Sequence, residues 1–254
     1  MRNRFEKTAW GLALALAAGG AGAVGPVAFD TTVKVAIDAS GTPTQVLTAP
    51  KLPQPVREKL EESVKAWRFT PPSRDGKAVA GATFVRLAAC AMPDARGGLT
   101  MSVAYKGNGP EALNMLKALP KFPSDRDALR EKRVEFSVEY TVDPNGRAKL
   151  AEIKQVEGSD KALKAFTPAL REWVSKLRFT PEEVDGMLVS TRMRTPIVYR
   201  VSSAALSPTR EQEQERLLER GRMSPECLAA GGAAAPPLLQ AYAVDSQVKF
   251  LGPG

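Results

Sequence analysis

Two stretches of the chain alternate apolar and polar positions with the period of a half-buried strand. In the first, Val33, Val35 and Ile37 alternate with Thr32, Lys34, Ala36 and Asp38; in the second, VEFSVEYTV, Val134, Phe136, Val138 and Tyr140 share one face. Each run ends in turn residues, Asp38-Ala39-Ser40-Gly41 and Asp143-Pro144-Asn145-Gly146. Each then resumes as a strand, Thr44-Gln45-Val46-Leu47 and AKLAEIKQV, so a β-hairpin is predicted in both places. The period then lengthens. In PQPVREKLEESVKAWRF, Pro55 stands in a first helical turn, and Val56, Leu60, Val64 and Trp67 recur at helical spacing. Over roughly Asp160 to Leu177 the same logic buries Leu163, Phe166, Leu170, Val174 and Leu177.

After each helix the chain writes nearly one phrase, RFTPPSRDGKAV from Arg68 to Val79 and RFTPEEVDGMLV from Arg178 to Val189. The residues Arg68, Phe69, Thr70, Pro71, Asp75 and Gly76 return as Arg178, Phe179, Thr180, Pro181, Asp185 and Gly186. Proline stops the helix, Asp-Gly turns the chain, and Val79 to Leu87 and Arg192 to Val201 return as strands. Both copies therefore read β-β-α-β. The repetition predicts an α+β protein of two small modules, each an antiparallel three-stranded sheet with a helix packed on one face. Phe69 and Phe179 are expected to plug the helix ends as core residues, and the repeated Arg and Thr to satisfy free backbone groups there.

The expected organisation is a signal peptide over 1–23, a first module over 24–90, a connector over 91–119, a second module over 120–203 and a tail over 204–254. The connector holds a candidate extra strand, LTMSVAY, and a short helical run, EALNMLKAL. The tail begins with a charged helix candidate, TREQEQERLLERGR, followed by a linker of small residues. It closes on a candidate edge strand in which Tyr242, Val244, Val248 and Phe250 alternate with Ala243, Asp245, Gln247 and Lys249. Such a strand can add to an exposed sheet edge of its own molecule or of another.

At the N-terminus, Arg2, Arg4 and Lys7 precede an apolar run from Ala9 to about Ala18 and then Ala21-Gly22-Ala23, the pattern of a secretory signal cut after Ala23. The run is shorter than the roughly 20 residues of a spanning helix. The alternative is an uncleaved inner-membrane anchor facing the periplasm. Export into an oxidising compartment lets the two cysteines, Cys90 and Cys227, form one disulfide, the alternative being two separate thiols. Pairing would close a long loop, worth roughly 4 to 5 kcal/mol. The formal charge of +8 is interspersed with acidic residues and shows no basic run interleaved with aromatics. It reads as a solvated surface, with no nucleic-acid partner expected.

There is no histidine, which removes the commonest general base, the commonest zinc ligand and every Ser-His or Cys-His nucleophile system. Glu61-Glu62 and Glu182-Glu183 are sequence neighbours, do not face one another on a helix, and are expected to be exposed. The glycines of GNGP and AGG fit no phosphate loop. A non-enzymatic protein with no cofactor and no metal is expected. What the predicted sheets offer instead is edge: unpaired backbone donors and acceptors that accept another strand.

The order strand, Asp-x-x-Gly turn, strand, helix, Arg-Phe-x-Pro, Asp-Gly, strand resembles the C-terminal domain of TonB-type energy transducers. The second copy carries Phe122-Pro123 and Ala128 where that family usually has Tyr-Pro and a following Ala, then Val142 to Gly146 and Arg178-Phe179-Thr180-Pro181. The first carries Asp38 to Gly41 and Trp67-Arg68-Phe69-Thr70-Pro71. The resemblance implies a periplasmic domain that docks on an envelope or outer-membrane protein by lending or receiving a β-strand. Family transducers also have a spanning N-terminal helix with a motor-coupling His and a long Pro-rich spacer, which this sequence does not show. The reading is therefore a periplasmic docking protein. Its alternatives are a membrane-anchored transducer or transport accessory, and an envelope structural protein that forms a homodimer through its tail.

Overall fold

A computed structural model describes residues 27–93, 98–115, 119–123, 133–200, 227 and 241–254. The expected signal peptide, the charged helix of the tail, its small-residue linker apart from Cys227, and Ala128 lie outside the described residues. The first repeat forms β1 (Val27–Ile37), β2 (Pro43–Leu47), α1 (Gln54–Lys65), β3 (Trp67–Thr70), the hairpin strands β4 (Ser73–Arg74) and β5 (Lys77–Ala78), and β6 (Gly81–Pro93). Next come β7 (Leu99–Gly109) and β8 (Glu111–Ala112). The second repeat forms β9 (Arg133–Val142), β10 (Ala148–Glu157), α2 (Asp160–Lys176), β11 (Phe179–Thr180), β12 (Glu183–Val184), β13 (Met187–Leu188) and β14 (Thr191–Arg200). The tail contributes β15 (Tyr242–Ala243) and β16 (Lys249–Pro253). The protein is α+β.

The sheets are larger than the three strands expected of each repeat. The first has six, in the order β13-β12-β6-β1-β2 with β7 also paired to β6; the second has four, β10-β9-β14-β15. The cause is β6, which runs 13 residues. One of its sides is covered by β1, leaving the backbone groups of the other in need of partners. β7 takes Phe84 to Pro93 on that side, and β12, from the second repeat, takes Gly81 and Ala82.

Each sheet has its own core. Val33, Val35, Ile37, Leu60, Val64 and Phe69 bury in the first, and Val138, Tyr140, Phe166, Leu170, Val174 and Phe179 in the second. The alternation read from β1 and β9 thus selects the buried face. α1 stops at Lys65, so Trp67 is a strand residue that still reaches the core. α2 starts at a capping Ser159, whose hydroxyl accepts the Ala162 amide at 3.3 Å, and it also buries Trp173. Phe122 meets Phe166 edge-on at 5.1 Å and Tyr199 at 5.7 Å.

Two elements differ from expectation for one reason. The helical run expected at EALNMLKAL begins instead as a strand, because Glu111 and Ala112 pair with Thr180 and Phe179. The single closing strand expected over 242–250 is split, β15 pairing with β14 and β16 with β3. Both segments cross between the halves, and a crossing chain satisfies its backbone on whichever edge it meets. Cys90 and Cys227 form a disulfide with Cα atoms 5.3 Å apart, beside Ala28. Such a bond suits an oxidising, non-cytoplasmic compartment.

Candidate functional site

The repeated motifs explain one another. In each Asp-x-x-Gly turn the aspartate carboxylate accepts two amides, those of Ser40 and Thr42 on Asp38 and those of Asn145 and Arg147 on Asp143. The glycine closing the turn has positive φ, +82° at Gly41 and +73° at Gly146. Its carbonyl then accepts the amide of the motif phenylalanine, Phe69 at 3.0 Å and Phe179 at 2.9 Å. A Cβ on Gly41 would stand 1.8 Å from the Phe69 carbonyl oxygen, and one on Gly146 would stand 2.1 Å from that of Phe179. Only glycine allows this docking. Arg178 Nη1 donates to the carbonyls of Ser175 and Leu177 at the end of α2, and Arg68 Nη1 to that of Trp67.

The other side of each Arg-Phe-Thr segment receives a strand from outside its own repeat. β8, following the first repeat, pairs with β11, and Asn114 just beyond it bonds the Arg178 amide and the Lys176 carbonyl. β16, from the tail, pairs with β3, and the Gly254 amide reaches the Ala66 carbonyl at 2.7 Å. The two halves thus strap one another reciprocally, and each strap tip occupies the end of the opposite helix. Of the candidate edge residues, Tyr242 lies in β15 and Phe250 in β16, whereas Val244 and Val248 fall in the bend between them. Phe250 stacks on Tyr105 at 4.3 Å and meets Trp67 at 4.9 Å, and Val248 is buried in the first core.

Where the straps cross, a buried polar network ties three segments together. Glu182, expected exposed, is 3% exposed. Its carboxylate accepts the hydroxyls of Thr83 at 2.6 Å, Thr191 at 2.8 Å and Ser246 at 2.8 Å, one each from β6, β14 and the tail. Asn108 donates to Thr83, Ser246 and the Val248 carbonyl, and accepts the Tyr105 hydroxyl. A buried carboxylate is tolerable only with its acceptor sites filled in this way.

Two cavities flank the network. One, of about 210 Å³, is acidic, lined by Glu182, Glu183 and Asp245. The other, of about 280 Å³, is basic, and Arg86, Asn108 and Lys249 line it together with Tyr105, Tyr242 and Phe250. Among the described residues the Arg86 guanidinium has one hydrogen bond, from Nη2 to the Asn108 carbonyl at 3.3 Å, while its buried Nε has no partner. Burial lowers its pKa from the ordinary arginine value, and burial pushes the Tyr105 hydroxyl up to about 12.

The repeated residues therefore build the frame, and the polar chemistry lies between the frames. Arg86, Asn108, Thr83 and Thr191 gave no sequence signal, but Glu182 did leave one, standing where the first phrase has Pro72. Among the described residues no group of His, Cys, Asp and Glu side chains is placed to hold a metal ion, and no helix is long and apolar enough to cross a membrane. No family model, curated protein or solved structure matches this chain.

Proposed function

We propose that this protein is a non-enzymatic periplasmic docking protein, built from two interlocked copies of a β-β-α-β module like the C-terminal domain of TonB-type transducers. Its partner is an envelope or outer-membrane protein, bound by β-strand pairing. The observation that carries this reading is the outer side of β7. One side of β7 pairs with β6, and among the described residues no strand pairs the other along Leu99 to Tyr105. That run, LTMSVAY, has neither charge nor proline, the features that ordinarily blunt a sheet edge.

The other long edge contrasts with it. β10 carries Lys149, Glu152, Lys154 and Glu157, and its pairing with β9 is interrupted at two points by register shifts. Charge and bulges both discourage an incoming strand. The tail strands are occupied within their own chain. The N-terminal pattern and the disulfide support export.

A photo-crosslinking residue placed at Ser102, and separately at Lys154, tests the reading in intact envelopes. Docking on β7 predicts a discrete crosslinked protein from position 102 and none from position 154. A crosslink from position 154 alone, or from neither, contradicts it.

A further inference from the structure

We propose that the basic cavity at the strand crossing is a binding site for a small organic acid, one carboxylate on a compact apolar body, with Arg86 as its anchor. Three observations converge on this site.

First, charge: among the described residues the cavity is lined by Arg86 and Lys249 and by no acidic side chain. Arg86 makes no ion pair among the described residues; the one carboxylate that acts on it, that of Glu182, does so weakly and is already committed to three hydroxyls. A half-buried guanidinium with five donors and one long hydrogen bond is costly to hold in that state. A carboxylate matches its fork bidentately and removes the deficit.

Second, shape: Gly107 has φ +139°, and a Cβ there would come within 2.9 Å of Arg86 Nη2. The missing side chain is what lets the guanidinium lie against the β7 backbone beside the cavity. Third, the walls: the Tyr105–Phe250 stack, with ring planes 18° apart, forms an apolar face, and Val244 and Val248 add to it. Bare phosphate would fill the charged end and leave these walls uncovered. A volume of about 280 Å³ takes an acid about the size of benzoate. Because Tyr242, Val244, Lys249 and Phe250 belong to the tail, an occupant also fastens the strap of the first half.

The experiment is a thermal unfolding series on the full chain, with benzoate, inorganic phosphate or chloride at matched ionic strength. At a benzoate concentration ten times its dissociation constant the midpoint is expected to rise by about 3 to 5 °C over chloride. Phosphate is expected to give a smaller rise. Arg86→Met should abolish the benzoate shift while keeping a midpoint in chloride equal to or above that of the parent, because it removes an unpaired buried charge. Lys249→Ala, an exposed side chain at the cavity mouth, should weaken benzoate binding several-fold with the chloride midpoint unchanged. A benzoate shift no greater than that of chloride, one matched by phosphate, or one that survives in Lys249→Ala undiminished overturns the assignment. If Arg86→Met fails to fold, the Lys249→Ala titration and the phosphate comparison decide by themselves.

Discussion

The two copies of the Arg-Phe-Thr-Pro phrase start alike and then diverge over three residues. Pro72-Ser73-Arg74 follows in the first, Glu182-Glu183-Val184 in the second. Both copies then make a two-residue Asp-Gly turn, with φ +52° at Asp75 and at Asp185. Yet the β4–β5 hairpin stands alone, whereas the β12–β13 hairpin enters the sheet of the other half at Gly81 and Ala82. Gly81 lies between the copies: a Cβ there would meet Pro72 Cγ and the Glu183 carbonyl oxygen, each at 2.7 Å. The first copy thus packs the Pro72 ring against Gly81, whereas the second lays the backbone of Glu183 and Val184 along it; their counterparts, Ser73 and Arg74, pair only with β5 among the described residues. Val184 buries at the joint, while Arg74 reaches across it to Asp185 at 2.7 Å. A repeated motif can thus fix the same local lock twice while the residues beside it decide which copy joins the other.

The lock should be equally indispensable in both halves. Gly41→Val and Gly146→Val each force a side chain onto a backbone oxygen at a positive-φ position. Each is expected to cost more than about 4 kcal/mol in urea unfolding. A mild effect in one half and not the other would break the equivalence. Comparable in size, Cys90→Ser with Cys227→Ser is expected to lose roughly 4 to 5 kcal/mol by the same assay.

The divergent residues give the next test. Glu182→Leu leaves the hydroxyls of Thr83 and Thr191 without their acceptor, Ser246 turning to the Val248 carbonyl, at a cost of about 2 to 3 kcal/mol. Pro72→Ala should cost less than about 1.5 kcal/mol, since it strands no polar group. Equal losses would show that the buried network is not what distinguishes the halves.

The smallest effect is on acid stability. The Ser40 hydroxyl at 2.6 Å, with the Thr42 and Ser40 amides, holds the Asp38 carboxyl below the usual aspartate value. Its contribution is therefore complete above the unfolded value of about 4 and is lost as pH falls through the lower folded value. Asp38→Asn should flatten that acid limb without changing the slope above pH 5, as followed by circular dichroism.

Much of the frame was legible because it is local. Alternation at Val33 to Ile37 and Val134 to Tyr140 found the buried faces, and helical spacing found Leu60, Val64, Phe166 and Leu170. The pairing of Cys90 with Cys227 was open to sequence reasoning because only two cysteines exist. The crossings were not legible. Which edge accepts Glu111-Ala112 or Lys249 to Pro253 depends on where two folded halves leave unpaired backbone, and no periodicity carries that information. Glu182 was misread for a related reason: its three hydroxyl partners come from residues 83, 191 and 246, which only the crossing brings together. Arg86 is the one charged residue of its strand, and a lone charge carries no periodicity that marks a cavity.

The reciprocal strapping is tested most directly by native-state hydrogen exchange at β3, comparing the full chain with one ending at residue 240. Successive amides of a strand point to opposite sides, and that of Phe69 points to Gly41. Those of Arg68 and Thr70 therefore face β16. Removing the tail should expose Arg68 and Thr70 to fast exchange while Phe69, Phe179 and Thr180 keep their protection. Unchanged protection at Arg68 and Thr70 in the shortened chain would contradict the account.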